Sequence, residues 1–83
     1  MSAELTIRYF AAARAAAGVR EEPAPGGLSL AELADVLGIR HGERLAAVLK
    51  VASFLVDGVV QHDREQPLPS AATVDVLPPF AGG

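Results

Sequence analysis

Eighty-three residues make one domain, because a second core would leave each half too small to fold unaided. With 51% of residues hydrophobic and 20% charged, wholesale disorder is excluded. A net charge of −3 with scattered basic residues argues against nucleic acid, and the absence of cysteine excludes a disulfide framework, a Cys-based metal site and a side-chain thiol nucleophile.

Met1-Ser2-Ala3-Glu4 has no basic patch leading into an apolar run, so no secretory leader is expected. Leu5 to Phe10 alternates, with Leu5, Ile7 and Tyr9 on one face, and predicts a half-buried strand. Ala11 to Ala17 is alanine-rich and is followed by Gly18, which predicts a short helix and its stop. Val19 to Ala24 is a second candidate strand, paired back to the first, and Pro25-Gly26-Gly27 reads as a turn. Ser29-Leu30-Ala31-Glu32 has the form of a capping box. Leu30, Leu33, Val36 and Leu37 follow at helical spacing, and Gly38 is expected to stop this main helix. A second short helix is expected over Glu43–Leu49, with Leu45, Val48 and Leu49 inward.

Val51 to Val56 is apolar enough for a central strand, Asp57-Gly58 is a hairpin signal, and Val59-Val60-Gln61 is the return strand. Thr73 to Leu77 alternates again, and Pro78-Pro79 ends that strand because proline cannot donate to a ladder. The longest nearly uncharged stretch, Leu45–Val56, contains Lys50 and is too short to span a bilayer. A soluble cytoplasmic protein without a membrane partner is expected. This order predicts an α+β layer pair, a mixed sheet of about five strands on one main helix, with the first and last strands paired in parallel at its centre. Residues 1–78 form the domain and 79–83 a tail.

Nothing within the domain reads as an active site; the tail does. The α-carboxyl of Gly83 would be ionised at neutral pH and a poor acyl donor until it attacked the α-phosphate of ATP to form an acyl-adenylate. That step needs the terminus to enter another protein's nucleotide pocket. Gly82 and Gly83 have no Cβ and pass a narrow channel, Pro78-Pro79 stiffens the base, and four extended residues reach roughly 13 Å. Phe80 and Ala81 are apolar, unlike a solvent tail, and are assigned with Pro78 and Pro79 to partner binding. Phe54, Leu55, Val59 and Phe80 are candidates for an exposed apolar patch. Strand parity sends one of Phe54 and Leu55 toward the helix, and Phe54 and Val59 are assigned to the partner surface.

Leu77-Pro78-Pro79-Phe80-Ala81-Gly82-Gly83 resembles the terminal signature of the molybdopterin synthase sulfur-carrier (small) subunit, within the MoaD/ThiS-like, ubiquitin-related β-grasp family. Arg8-Tyr9-Phe10-Ala11-Ala12-Ala13-Arg14 through Gly18 resembles the family's first strand and helix, and Val56-Asp57-Gly58-Val59-Val60 its hairpin. Three positions depart from the pattern: Ala15 replaces a glutamate, Asp57 an asparagine, and Ser70-Ala71-Ala72 an acidic, glycine-containing turn. The resemblance implies a β-grasp fold and a carrier that is not catalytic alone. An E1-like adenylating enzyme would activate Gly83 with ATP, and a sulfurtransferase persulfide would convert it to a thiocarboxylate. The tail would then give sulfur to cyclic pyranopterin monophosphate within the large synthase subunit. The chain itself would bind no cofactor, and a C-terminal thiocarboxylate agrees with the lack of cysteine.

His41 and His62, even with Asp63, make a poor metal set without cysteine, and His62-Asp63 lacks a nucleophile with any local signature. Gly26-Gly27 lacks the lysine of a phosphate loop, and Lys50 is read as solvated. Two other readings remain open: a carrier for thiamine thiazole or cysteine synthesis, and an interaction module with an inert tail.

Overall fold

Why the alternating segments become one sheet is visible in the computed structural model, which describes residues 3–79. In chain order the elements are β1 (Leu5–Tyr9), α1 (Ala11–Ala17), β2 (Glu21–Ala24), α2 (Leu30–His41), α3 (Glu43–Val51), β3 (Ser53–Val56), β4 (Val59–Val60) and β5 (Thr73–Leu77). The strands lie in the order β2-β1-β5-β3-β4, so β5 is central. It pairs in parallel with β1, Ile7 opposite Val74 and Tyr9 opposite Val76, the pairing inferred from the order of elements. Its other edge pairs antiparallel with β3, Ser53 opposite Leu77. This is the expected α+β, β-grasp arrangement.

Period 2 decides which side is buried. Leu5, Ile7, Phe54, Val56, Val74 and Val76 face inward and meet Ala13, Leu30, Leu33, Leu37, Leu45 and Leu49 of the helices in one core. The opposite sheet face carries no helix among the described residues.

The capping box forms as expected: Ser29 Oγ accepts from the Glu32 N–H at 3.2 Å, and Glu32 Oε1 accepts from the Ser29 N–H at 2.9 Å. The hairpin turn between β3 and β4 has Asp57 at φ 49° and Gly58 at φ 84°, the left-handed pair that matches strand twist. Asp57 Oδ1 also accepts from the Thr73 N–H at 2.9 Å, tying the turn to the start of β5.

Four boundaries differ from expectation. Gly38 does not stop α2, which continues to His41 and ends at Gly42 (φ 102°). A Cβ on Gly38 would lie 3.2 Å from Ala46 Cβ, so this glycine sits where α2 packs tightly against α3. The second strand begins at Glu21 rather than Val19, because Gly18 (φ 79°) caps α1 and turns the chain over the next residues. Val51 closes α3 instead of opening β3, and Arg64 donates to the carbonyls of Leu49 and Ala52 at that helix end. Gln61 falls outside β4 but still donates its N–H to the Phe54 carbonyl at 3.0 Å.

His41 docks the end of α2 onto β2. Its Nε2 lies 2.5 Å from Glu22 Oε2, which also accepts from Tyr9 Oη at 2.6 Å, while Arg40 Nη1 donates to Glu22 Oε1 at 3.0 Å. Burial alone would raise the Glu22 pKa, but the hydrogen bonds from Tyr9, His41 and Arg40 outweigh it and hold the carboxyl below its ordinary value. Burial and the Glu22 partner together push the Tyr9 phenol well above the usual tyrosine range.

Candidate functional site

The site predicted from sequence begins where β5 leaves the sheet. The Phe10 N–H donates to the Val76 carbonyl at 3.2 Å. Leu77 then lies opposite Ser53, and Pro78 and Pro79 follow, half-buried and exposed respectively. Neither proline has an N–H, so the ladder cannot continue. The chain therefore leaves the sheet from its middle rather than from an edge. Phe80, Ala81, Gly82 and Gly83 themselves lie outside the described residues.

Beside this exit lies the uncovered sheet face. Register places Glu21, Arg8, Asp75, Leu55 and Val60 in one row across all five strands. Arg8 and Asp75 sit directly opposite and join through two hydrogen bonds, Nε to Oδ1 at 2.6 Å and Nη2 to Oδ2 at 2.9 Å. The Asp75 hydrogen bond, then its charge, raises the Arg8 pKa. Asp75 is buried, and the guanidinium fork satisfies both of its oxygens. Leu55, Val60, Leu77 and Phe10 add apolar surface around the pair. Phe10 is 41% exposed and Val60 49%.

Two expected partner residues are placed elsewhere. Phe54 is only 2% exposed, with the Arg64 guanidinium 4.9 Å from its ring centre, so it is a core residue. The parity question resolves with Leu55 outward. Val59 is 69% exposed but pairs with Val56, so it lies on the hairpin at the far end of β3 from Ser53 and Leu77. The structure therefore groups Pro78 and Pro79 with Phe10, Leu77 and Leu55. Sequence reading missed Phe10, Leu77 and Val60, although continued alternation from Arg8 and Asp75 was a usable signal for the first two.

Among the described residues no cluster of His, Asp and Glu could hold a metal ion, and no helix is long and apolar enough to cross a membrane. The histidines are apart, His41 on Glu22 and His62 exposed in the 61–70 loop.

A family model described as the ThiS family matches residues 7–83. No curated protein matches the chain at a significant level. A Pyrococcus furiosus protein assigned as molybdopterin converting factor, subunit 1, is 25% identical, with 95% of this chain and 100% of that one covered and a TM-score of 0.74. Small archaeal modifier protein 1 (SAMP1) from Methanosarcina acetivorans is 22% identical over 100% and 99% of the two chains, with a TM-score of 0.76. A chain from the complex of subunits 1 and 2 of molybdopterin-converting factor from Helicobacter pylori is 20% identical over 96% and 99%, with a TM-score of 0.68.

Proposed function

The chain belongs to the ThiS family, and from that premise we propose that it carries sulfur on the carboxyl of Gly83 as the small subunit of molybdopterin synthase. In this reading an adenylating partner joins the Gly83 carboxylate to AMP and releases pyrophosphate. The outer sulfur of a donor persulfide then displaces AMP to form an acyl disulfide, and a second thiol cleaves its S–S bond, freeing the thiocarboxylate and leaving the donor as a disulfide. The large synthase subunit takes in the tail and passes the sulfur to cyclic pyranopterin monophosphate, and Gly82 lends the slim approach that such a pocket requires.

One observation carries the reading. The central strand runs out at Leu77-Pro78-Pro79 beside an uncovered face, so the last four residues begin where a partner could rest on the sheet and enclose them together. The cysteine-free sequence supports it, since a thiocarboxylate stores sulfur without a side-chain thiol. Likeness to subunit 1 of molybdopterin converting factor favours this pathway over a carrier for thiamine thiazole or cysteine synthesis.

The test is mass spectrometry after incubation with the adenylating partner, ATP, a persulfide donor and a thiol reductant. A gain equal to one oxygen-to-sulfur exchange, abolished by deleting Gly83, is expected. The product should then release its sulfur with the large subunit and cyclic pyranopterin monophosphate. An unchanged mass refutes the proposal. The likeness to SAMP1 favours a second reading, a protein modifier, for which amide-linked conjugates would appear in place of the mass gain.

A further inference from the structure

The root of the tail holds a charge pattern that the sulfur chemistry leaves unused. The end of β1, the start of α1 and the link into β2 enclose a cleft of about 190 Å³ lined by Arg8, Tyr9, Phe10, Arg14, Arg20 and Glu21. Arg8 is occupied by Asp75. Arg14 and Arg20 are exposed and form no ion pair among the described residues, and Glu21 is the one carboxylate in the lining. Two uncommitted guanidinium groups thus share a cleft on a chain whose net charge is −3. The Phe10-to-Val76 hydrogen bond fixes this cleft against the last residues of β5. The cleft therefore lies beside the point where β5 leaves the sheet.

We infer that the cleft receives an acidic side chain of the adenylating partner, its carboxylate lying between Arg14 and Arg20 while apolar neighbours cover Phe10. The assignment rests on the carrier reading above and names the partner chemistry of that same site. Guanidinium forks match carboxylates in geometry as well as charge. A free anion would gain little from two exposed arginines in water. A carboxylate on a surface that already grips the tail pairs at high effective concentration.

The experiment measures binding of the full chain to the cognate adenylating enzyme by calorimetry, at about 50 mM and about 0.5 M salt, where the Debye length falls from above 10 Å to about 4 Å. Arg14→Glu with Arg20→Glu should weaken binding about 10- to 100-fold at low salt and far less at high salt. Arg44→Glu, a charge reversal at an exposed position on α3, should change affinity by less than about threefold. Equal thermal midpoints confirm that each variant folds. Binding of the double variant that matches the Arg44 variant would overturn the inference. So would saturable binding of inorganic phosphate at Arg14 and Arg20 with a Kd below about 1 mM, since that marks a free-anion site. Arginine-dependent binding without any sulfur gain would refute the carrier function and leave this contact standing. Sulfur gain with undiminished binding of the double variant would do the reverse.

Discussion

Replacing Gly38 with alanine sets two effects of known size against each other. Inside a helix, alanine is favoured over glycine by about 1 kcal/mol, so an isolated α2 would gain. In the fold, the new Cβ would sit 3.2 Å from Ala46 Cβ and 3.8 Å from its Cα, against an optimum of about 3.5–4.0 Å between carbon atoms. Both groups are on packed helices, so relief requires α2 and α3 to part by a few tenths of an ångström. Overpacking of this kind costs about 1–3 kcal/mol, and the net expectation is a loss of about 1 kcal/mol. For a domain of this size that lowers the Tm by about 4–8 °C. The decisive background is Ala46→Gly, which removes the opposing methyl. There the same Gly38→Ala change should stabilise by about 1 kcal/mol, because only the helix preference remains. Urea unfolding of all four proteins, with a constant m-value, measures both steps and their coupling. A Gly38→Ala effect of the same sign and size in both backgrounds would refute the close-approach account.

Glu22 gives a pH signature. Its folded pKa is depressed, so the unfolded chain binds more protons in the carboxylate range, and this stabilisation is complete above about pH 4.5 and lost as pH falls through the folded value. The stability gap between wild type and Glu22→Gln should therefore close on acidification, as thermal melts at stepped pH will register; a constant gap contradicts the arrangement. Phe54→Ala should cost about 3–5 kcal/mol in denaturant titration, whereas Leu55→Ala should cost about 1 kcal/mol and act mainly on partner affinity. Equal stability losses would show that the two faces are misassigned. Ala71 holds φ 59°, so Ala71→Gly should relieve about 1 kcal/mol of left-handed strain, less the entropy glycine gains on unfolding, and raise stability by about 0.5 kcal/mol. A lower Tm would count against that strain.

Local structure is legible in the sequence because its causes are local. The alternation of Leu5–Tyr9 and Thr73–Leu77, the Ser29–Glu32 cap and the Asp57-Gly58 turn each need only a few neighbouring residues, and each appears where expected. Gly38 is not legible in this way, because its role is a contact with Ala46 on another helix and helix-stopping is the only role a single sequence window can suggest. Arg8 and Asp75 stand 67 positions apart and become partners only once β1 and β5 take register. The same holds for Glu22 with Tyr9 and His41. Parity required one of Phe54 and Leu55 to face inward, but choosing between them needed the position of the strand across the ladder. For the site itself, the closing Leu77–Gly83 motif identifies the exit strand, while the cleft beside it is not legible because its arginines come from β1, α1 and the link into β2.

The central place of β5 also has a mechanical consequence. Any pull applied through Pro78 and Pro79 acts along a strand that is bonded on both edges, to β1 on one side and β3 on the other. Tension is then shared in shear across two ladders at once, instead of peeling one bond at a time from a border strand. A load applied at Pro79 therefore meets two ladders before the sheet can part.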